Sequence, residues 1–177
     1  MNLARQKIII IDGPIGSGKS TVAGLLYKAL LHTVFLSVDK IKWLNSSFSR
    51  FNEADQIMAD KVILGMCKEY LKAGLSVVIE RSFRRKSMIQ PYLNLSRRLK
   101  LPLLVYELTA PKSILISRIR HRTYVCPGKK NPPLWRIMTN INAYPHELYA
   151  PVRLKLDSLS LSARQIANHI LKDIKQS

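Results

Sequence analysis

Eight consecutive residues near the start of the chain combine three glycines with a lysine and two serines. They match the pattern G-x-x-x-x-G-K-[S/T] at every fixed position. Glycines let the backbone curl so that successive N–H groups point inward, an arrangement that suits phosphate oxygens. The lysine of such a loop reaches the β- and γ-phosphates of a nucleotide, and the next hydroxyl ligates Mg²⁺. The residues in question are Gly13, Pro14, Ile15, Gly16, Ser17, Gly18, Lys19 and Ser20.

The position of this pattern in the chain supports the same interpretation. It directly follows a run of four isoleucines, residues 8–11, and it opens a helical pattern. A phosphate loop requires this order of strand, loop and helix, and the start of the helix adds the positive end of its dipole. Thr21 offers a further hydroxyl near the α-phosphate. We therefore predict that residues 13–21 hold the phosphates of ATP, with Lys19 also catalytic and Ser20 on Mg²⁺.

A carboxylate is still needed, because one hydroxyl and the phosphate oxygens do not complete the ligands of Mg²⁺. In nucleotide sites of this kind it usually stands at the end of an apolar strand. Glu80 follows the apolar run Val77-Val78-Ile79 and is the candidate, acting through a metal-bound water. The alternative is that Glu80 is an ordinary carboxylate at a strand end, paired with Arg81 or Arg84.

Asp39 is the candidate for the base that receives a proton from the acceptor. It ends the second apolar run, and in parallel α/β sheets the carboxyl ends of the strands line the ligand crevice. Lys42 stands one helical turn further on and could hold the substrate. The alternative is that Asp39 only caps the helix that follows, a common role for aspartate at such a junction. The two roles are compatible.

Short apolar runs alternate with longer helical patterns, which predicts βαβ units and a parallel sheet. We expect one domain over residues 1–177, in which residues 40–72 form a helical region that shapes the acceptor pocket. The expected strands are 8–11, 34–38, 75–80, 103–108 and 152–157, and the expected helices are 19–31, 52–72, 86–99, 111–121 and 162–174.

A long irregular segment follows the fourth strand and its helix. Residues 124–133 hold three prolines and a glycine, which no helix or central strand tolerates. We predict a basic lid over residues 122–136, with Arg118 and Arg122 on one helix face at its root. Arginines there could stabilise the negative charge that develops during phosphoryl transfer. The alternative is a solvated helix face.

These residues resemble small P-loop kinases of the zeta-toxin, chloramphenicol-phosphotransferase and polynucleotide-5′-kinase type. The resemblance spans nearly the whole chain. It rests on the phosphate loop and on segments that include Asp39 and Lys42, Glu80, Phe83-Arg84-Arg85, residues 101–111, and the Arg118/Arg122 pair.

The resemblance implies a three-layer P-loop NTPase fold like that of nucleoside-monophosphate kinases, with a five-stranded parallel sheet. It also implies that Asp39 is the base and that Arg118 and Arg122 contact the nucleotide. Arg84 joins Asp39 and Lys42 as an expected substrate contact. Two departures stand out: the family more often has aspartate at the position of Glu80, and Lys42 replaces an arginine whose fork would bind a phosphate. The second weakens the polynucleotide-kinase alternative.

The charge of the chain is strongly positive and unevenly distributed. There are 29 Lys and Arg against 11 Asp and Glu, a net charge of +18. Residues 81–136 hold fourteen of these cations and a single acidic residue, Glu107. Such a block indicates an anionic partner, either a polyphosphate ligand or nucleic acid, unless it is only a solvated basic surface.

We therefore predict a cytoplasmic, Mg²⁺·ATP-dependent kinase that phosphorylates a hydroxyl of a small-molecule acceptor, as a monomer or dimer. No apolar run is long enough to span a membrane, and two cysteines make no disulfide framework. Two alternatives stay open: a 5′-hydroxyl polynucleotide kinase, and a nucleotide-gated RNA-binding module without catalysis, both using the basic block at 81–136.

Overall fold

The isoleucine run that precedes the phosphate loop becomes the central strand of a parallel sheet. The computed structural model describes residues 6–48, 53–121, 133–145, 147 and 149–177. In these ranges the strands are β1 (Ile8–Asp12), β2 (Thr33–Ser37), β3 (Ser76–Glu80), β4 (Leu103–Thr109) and β5 (Leu154–Asp157). Their order is β2-β3-β1-β4-β5, and all neighbours are parallel. The predicted fold class, a five-stranded parallel α/β sheet, is confirmed.

Helices cover both faces of this sheet. They are α1 (Lys19–Ala29), α2 (Val38–Lys42), α3 (Glu53–Lys72), α4 (Lys86–Leu99), α5 (Lys112–Arg120), α6 (Leu134–Asn142) and α7 (Ala163–Lys175). Among the residues described, no helix combines the length and the apolar character that a membrane crossing requires.

Two hydrophobic cores explain why β1 is apolar at consecutive positions. Side chains alternate between the faces of a strand, so Ile8 and Ile10 pack with α3 and α4, whereas Ile9 and Ile11 pack with α1 and α7. All four isoleucines are buried to at least 99%. Because helices cover both faces of this strand, neither face contacts solvent, and its sequence is apolar at every position instead of alternating. The result is three layers, with the carboxyl ends of all strands at one edge.

The register of the sheet places several polar side chains at that edge. Ser37 lies opposite Glu80, Ile11 also lies opposite Glu80, and Asp12 lies opposite Glu107. The phosphate loop leaves β1 at the same edge. The candidate site is therefore assembled from the ends of strands that are distant in the sequence.

Two short helices differ from the prediction. Helix α2 begins at Val38, before the helical region expected at 40–72, and α6 was not expected. The early start of α2 changes the place of Asp39. The second strand ends at Ser37, and Val38 begins α2, although the sequence favours Val38 as the last strand residue. Val38 is β-branched, but its side chain is buried in the core formed with α3 and α4, and this packing overrides its preference for strands. Asp39 is therefore the second residue of α2 and not the end of a strand.

The unpredicted helix, α6, begins inside the range predicted as a lid. Of the predicted lid at 122–136, residues 134–136 lie in the first turn of α6. Residues 122–132, with Arg122, lie outside the described residues, as does Asn52, the expected cap of α3.

Candidate active site

The phosphate loop has the left-handed backbone that its glycines permit. Gly13 has φ +148° and Gly18 has φ +92°. A Cβ on Gly13 would lie 2.5 Å from the carbonyl oxygen of Leu108 and 2.6 Å from Ser17 Oγ, whereas nothing lies within 4 Å of a Cβ on Gly18. Position 13 therefore requires glycine, because any side chain there would clash with the backbone of β4. Gly18 leaves open space at the start of α1, where the first N–H groups of a helix have no partner within it.

Lys19 is folded back over this loop. Its Nζ donates a hydrogen bond to the carbonyl oxygen of Pro14 (2.8 Å), and the residue is only 8% exposed. Ser17 N also donates to Pro14 O, while Ser17 Oγ is buried and has no hydrogen-bond partner among the residues that the structure describes. An ammonium group, an unused hydroxyl and the amides of a helix start thus converge on one loop, and this set of donors suits a polyphosphate.

Glu80 lies at the end of the strand beside β1. It is buried, and its Oε2 accepts a hydrogen bond from Ser37 Oγ (2.9 Å). The alternative pairing with Arg81 or Arg84 is not seen: both side chains have other partners, described below. Ser20 is exposed in the first turn of α1. A hydroxyl and a carboxylate are oxygen ligands of the kind Mg²⁺ takes, so Ser20 and Glu80 fit the predicted metal site.

Asp39 and Lys42 form an open ion pair on α2. Lys42 Nζ lies 3.6 Å from Asp39 Oδ1, and the two side chains are 18% and 78% exposed. The N-cap of α2 is Ser37 and makes no capping hydrogen bond with its side chain, so Asp39 does not cap this helix. Burial lowers the pKa of Lys42, an effect that the charge of Asp39 opposes. An exposed carboxylate thus stands beside a partly desolvated cation.

Two arginines after β3 border the same region. Arg81 is buried and makes a bidentate salt bridge to Asp60 of α3, and its guanidinium also lies 5.7 Å from the centre of the Phe83 ring. Arg84 is exposed and donates a hydrogen bond to Asn140 Oδ1 of α6 (3.0 Å). Burial, and then the positive charge of Arg81, lower the pKa of Arg84.

Arg118 lies on the other side of the phosphate loop. Its guanidinium donates to Oγ and to the carbonyl oxygen of Ser158, the residue after β5. It borders a cavity of about 160 Å³ between α1, α5 and the start of α7. Other residues lining this cavity include Ser17, Thr21, Val22 and Ile166. The predicted nucleotide contacts, Arg118 and Thr21, therefore share one cavity, and the predicted acceptor contacts lie beyond β3.

Two residues that no sequence pattern pointed to lie near the start of the phosphate loop, namely Asp12 and the half-buried Tyr144. Asp12 is fully buried, and its Oδ1 accepts hydrogen bonds from Gly13 N (2.6 Å) and Phe83 N (3.1 Å). Its Oδ2 and the hydroxyl of Tyr144 are both buried without a hydrogen bond among the described residues. Burial, and then the charges of Asp12 and Glu107, raise the pKa of Tyr144. The only sequence sign of Asp12 is a carboxylate at the last position before the loop.

Asp12 should make the stability of the protein depend on pH. Burial raises its pKa from 3.8 to about 7, against the opposing effects of its backbone hydrogen bonds and of Lys19. Between these pH values the folded state binds a proton that the unfolded state has lost, so this group's contribution to stability falls as pH rises through that window. In Asp12→Asn this contribution is absent. The difference in free energy of unfolding, wild type minus variant, should drop by roughly 2 kcal/mol from pH 5 to pH 8 in urea titrations. A difference that is constant with pH would contradict the raised pKa.

One protein-family model matches the sequence over most of its length. This model, described as an AAA domain, matches residues 8–133, a range that runs from β1 past α5. No curated protein matches the sequence at a significant level.

Solved structures share the fold along nearly the whole chain. A tunicamycin resistance protein of Deinococcus radiodurans is 18% identical, with a TM-score of 0.66 and 96% of each chain covered. An APS kinase of Mycobacterium tuberculosis, in complex with AMPPNP and APS, is 18% identical, with a TM-score of 0.70 over 98% of this chain and 99% of that one. A gluconokinase of Sinorhizobium meliloti is 20% identical, with a TM-score of 0.64 over 99% and 94%. The resemblance to small P-loop kinases is confirmed.

Proposed function

Because the chain belongs to the AAA domain family, we propose that it is a kinase that transfers the γ-phosphate of ATP to a hydroxyl group of a small-molecule acceptor, with Mg²⁺ as cofactor. One observation carries this proposal. An exposed carboxylate, Asp39, stands at the same edge of the sheet as the phosphate loop, on the side away from the cavity of Arg118. A carboxylate in this position could receive the proton of a hydroxyl group that attacks the bound nucleotide.

The chain's own residues would divide the work as follows. The loop amides and Lys19 bind the β- and γ-phosphates and hold them still. Ser20 and Glu80 would hold Mg²⁺, which when bound offsets negative charge on the phosphates. Arg118 and Thr21 would contact the nucleotide from the cavity that they both line.

Asp39 would act on the acceptor. The acceptor oxygen forms a bond to the γ-phosphorus, the bond from that phosphorus to the bridging oxygen breaks, and ADP leaves. The hydroxyl proton passes to a carboxylate oxygen of Asp39. A carboxylate that is 78% exposed before the acceptor binds can turn toward it at little cost in contacts.

The test is a screen of ATP consumption with the purified protein and Mg²⁺ over sugars, nucleosides, hydroxylated antibiotics and 5′-hydroxyl oligonucleotides. We expect at least one small alcohol to raise ADP release above the rate with water alone, and mass spectrometry should find it heavier by one phosphate. If every compound leaves the rate at its hydrolytic background, the proposed function is wrong.

Arg118 gives a prediction on the nucleotide side. In Arg118→Gln the charge is lost, and with it the bidentate contact that fixes Ser158 at the cavity. We expect the Kd for AMPPNP to rise about tenfold, the effect of losing roughly one charged hydrogen bond. Calorimetric titration measures this Kd. Lys172→Gln, on the exposed face of α7, is the control of equal charge and should leave the Kd unchanged.

A second candidate, a 5′-hydroxyl polynucleotide kinase, is favoured by the exposed basic residues of α4 and its ends. Lys86, Arg97, Arg98 and Lys100 are all exposed. Binding through a phosphate backbone weakens steeply between about 50 and 200 mM salt. Oligonucleotide titrations over that range decide whether these residues bind nucleic acid or only water and ions.

A further inference from the structure

Three cations gather on the acceptor side of the candidate site. Lys42 extends from α2, and Arg81 and Arg84 follow β3. The charges of Arg81 and Arg84 both lower the pKa of Lys42, and Asp39 opposes this for Lys42 and for Arg84. The ends of β2 and β3 are neighbours in the sheet, where Ser37 lies opposite Glu80, so α2 and the residues that follow β3 begin side by side. Among the described residues, the negative charges that influence Lys42 are those of Asp39 and Asp60.

The three cations differ in whether their charge is already balanced. The charge of Arg81 is balanced by Asp60, because its side chain is 7% exposed and both of its terminal nitrogens donate hydrogen bonds to the Asp60 carboxylate. A buried bidentate pair of this kind is a fixed part of the fold. Arg81 therefore has no free donor face to offer a ligand at Asp60's side.

Arg84 has a different environment. Its guanidinium donates a hydrogen bond to the neutral side-chain amide of Asn140, 3.0 Å away. In the part of the chain that the structure describes, no carboxylate lies within ion-pair distance of Arg84. Among these residues, the charge of Arg84 is therefore opposed only by the more distant carboxylate of Asp39.

Lys42 has only a weak counter-charge. The 3.6 Å separation from Asp39 is longer than a hydrogen bond, and the Asp39 carboxylate is largely in water. Exposed pairs of this geometry contribute little stability. A ligand with a better placed oxyanion can therefore take the place of Asp39 at Lys42.

Resting on the proposed kinase function, we propose that the acceptor is a small alcohol that carries a phosphate or carboxylate group, and that Lys42 and Arg84 bind this group. A guanidinium fork matches either oxyanion, and an ammonium group adds a point charge. Two cations with only weak counter-charges among the described residues suit one anionic group, whereas the backbone of a nucleic acid needs a longer track of cations.

The same arrangement links recognition to the proposed proton transfer. When the anionic group binds Lys42, Asp39 loses its partner and is left for the acceptor hydroxyl. A neutral alcohol leaves the Asp39–Lys42 pair in place. Anionic acceptors should therefore have a higher kcat as well as a lower KM than neutral acceptors.

The experiment compares matched acceptors: glycerol with glycerol 3-phosphate and with glycerate, glucose with glucose 6-phosphate, and adenosine with adenosine 3′-monophosphate. The wild-type protein is assayed for ADP release and for phosphorylated product. We expect the anionic member of at least one pair to have a kcat/KM at least tenfold higher than its neutral partner. Arg84→Gln and Lys42→Gln should each raise its KM about tenfold or more and leave the Kd for AMPPNP unchanged. The KM of Arg84→Lys should lie between those of the wild type and Arg84→Gln, because lysine keeps the charge without the planar guanidinium fork. Lys172→Gln should have the KM of the wild type.

The contrary outcomes separate this inference from the proposed function. If neutral and anionic acceptors are used equally, or the two variants leave the KM unchanged, the anionic acceptor is wrong and the kinase stands. If a 5′-hydroxyl oligonucleotide exceeds the mononucleotide more than tenfold, with a steep salt dependence, the acceptor is nucleic acid and the proposal is overturned. If no acceptor of either charge is phosphorylated, the proposed function fails first.

Discussion

Replacing Lys19 with alanine is expected to lower the rate of ATP turnover by about 10²- to 10³-fold, the usual effect of removing one preorganised group that stabilises transition-state charge. Lys19 Nζ is held inside the phosphate loop by Pro14 O, close to where the β- and γ-phosphates would bind. Alanine removes this positive charge at the point where negative charge increases during transfer.

The fold should survive this change. Lys19 is buried by the loop itself and belongs to neither hydrophobic core. Circular dichroism and thermal unfolding check the fold, and steady-state ADP release measures turnover. Lys28→Ala, an exposed lysine in the last turn of the same helix, is the matched control. A folded Lys19→Ala protein with wild-type turnover would remove the basis of the proposed function.

Asp39→Asn is expected to separate nucleotide binding from transfer. The variant should lower acceptor phosphorylation by about 10²- to 10⁴-fold, because asparagine cannot take up the hydroxyl proton. ATP affinity should stay nearly constant, since the predicted phosphate ligands are Lys19, Ser20 and the loop amides. Stability should also change little, because Asp39 is exposed and its pair with Lys42 is weak.

This comparison uses the best acceptor from the screen. Single-turnover rates with ATP and acceptor measure transfer, and AMPPNP titration measures binding. Glu69→Gln, which removes an exposed carboxylate from α3, controls for the lost charge. Transfer by Asp39→Asn at close to the wild-type rate would mean that another group takes the proton, or that none needs to.

Local patterns were enough to predict the centre of the fold. The isoleucine run, the glycines at fixed spacing and the helix that follows form one continuous stretch, and each residue there constrains its neighbours. The alternation of strands and helices then gives a parallel sheet, because parallel strands need crossovers. For the same reason the sequence predicts that Asp39 and Glu80 lie at the edge of the sheet where the strands end.

Contacts between distant residues account for what the sequence did not predict. Arg81, which follows β3, forms a salt bridge to Asp60 of α3. Tyr144 interacts with Asp12, although the two residues are far apart in the sequence. Neither pair leaves a periodic pattern. The short helices α2 and α6 are likewise set by packing: Val38 is buried against α3, and α6 is attached through Arg84 to Asn140 and Lys112 to Asn142.

The close fit of Gly13 against β4 makes the phosphate loop depend on strands that are distant in the sequence. The strand that carries the loop, β1, pairs with residues 77–80 and 103–107, and the loop packs on the carbonyl of Leu108. Until β4 is in place, the loop lacks the surface that holds Gly13. Such long-range pairing forms slowly during folding. A nucleotide that binds only the finished loop can therefore stabilise only states in which β3 and β4 already flank β1.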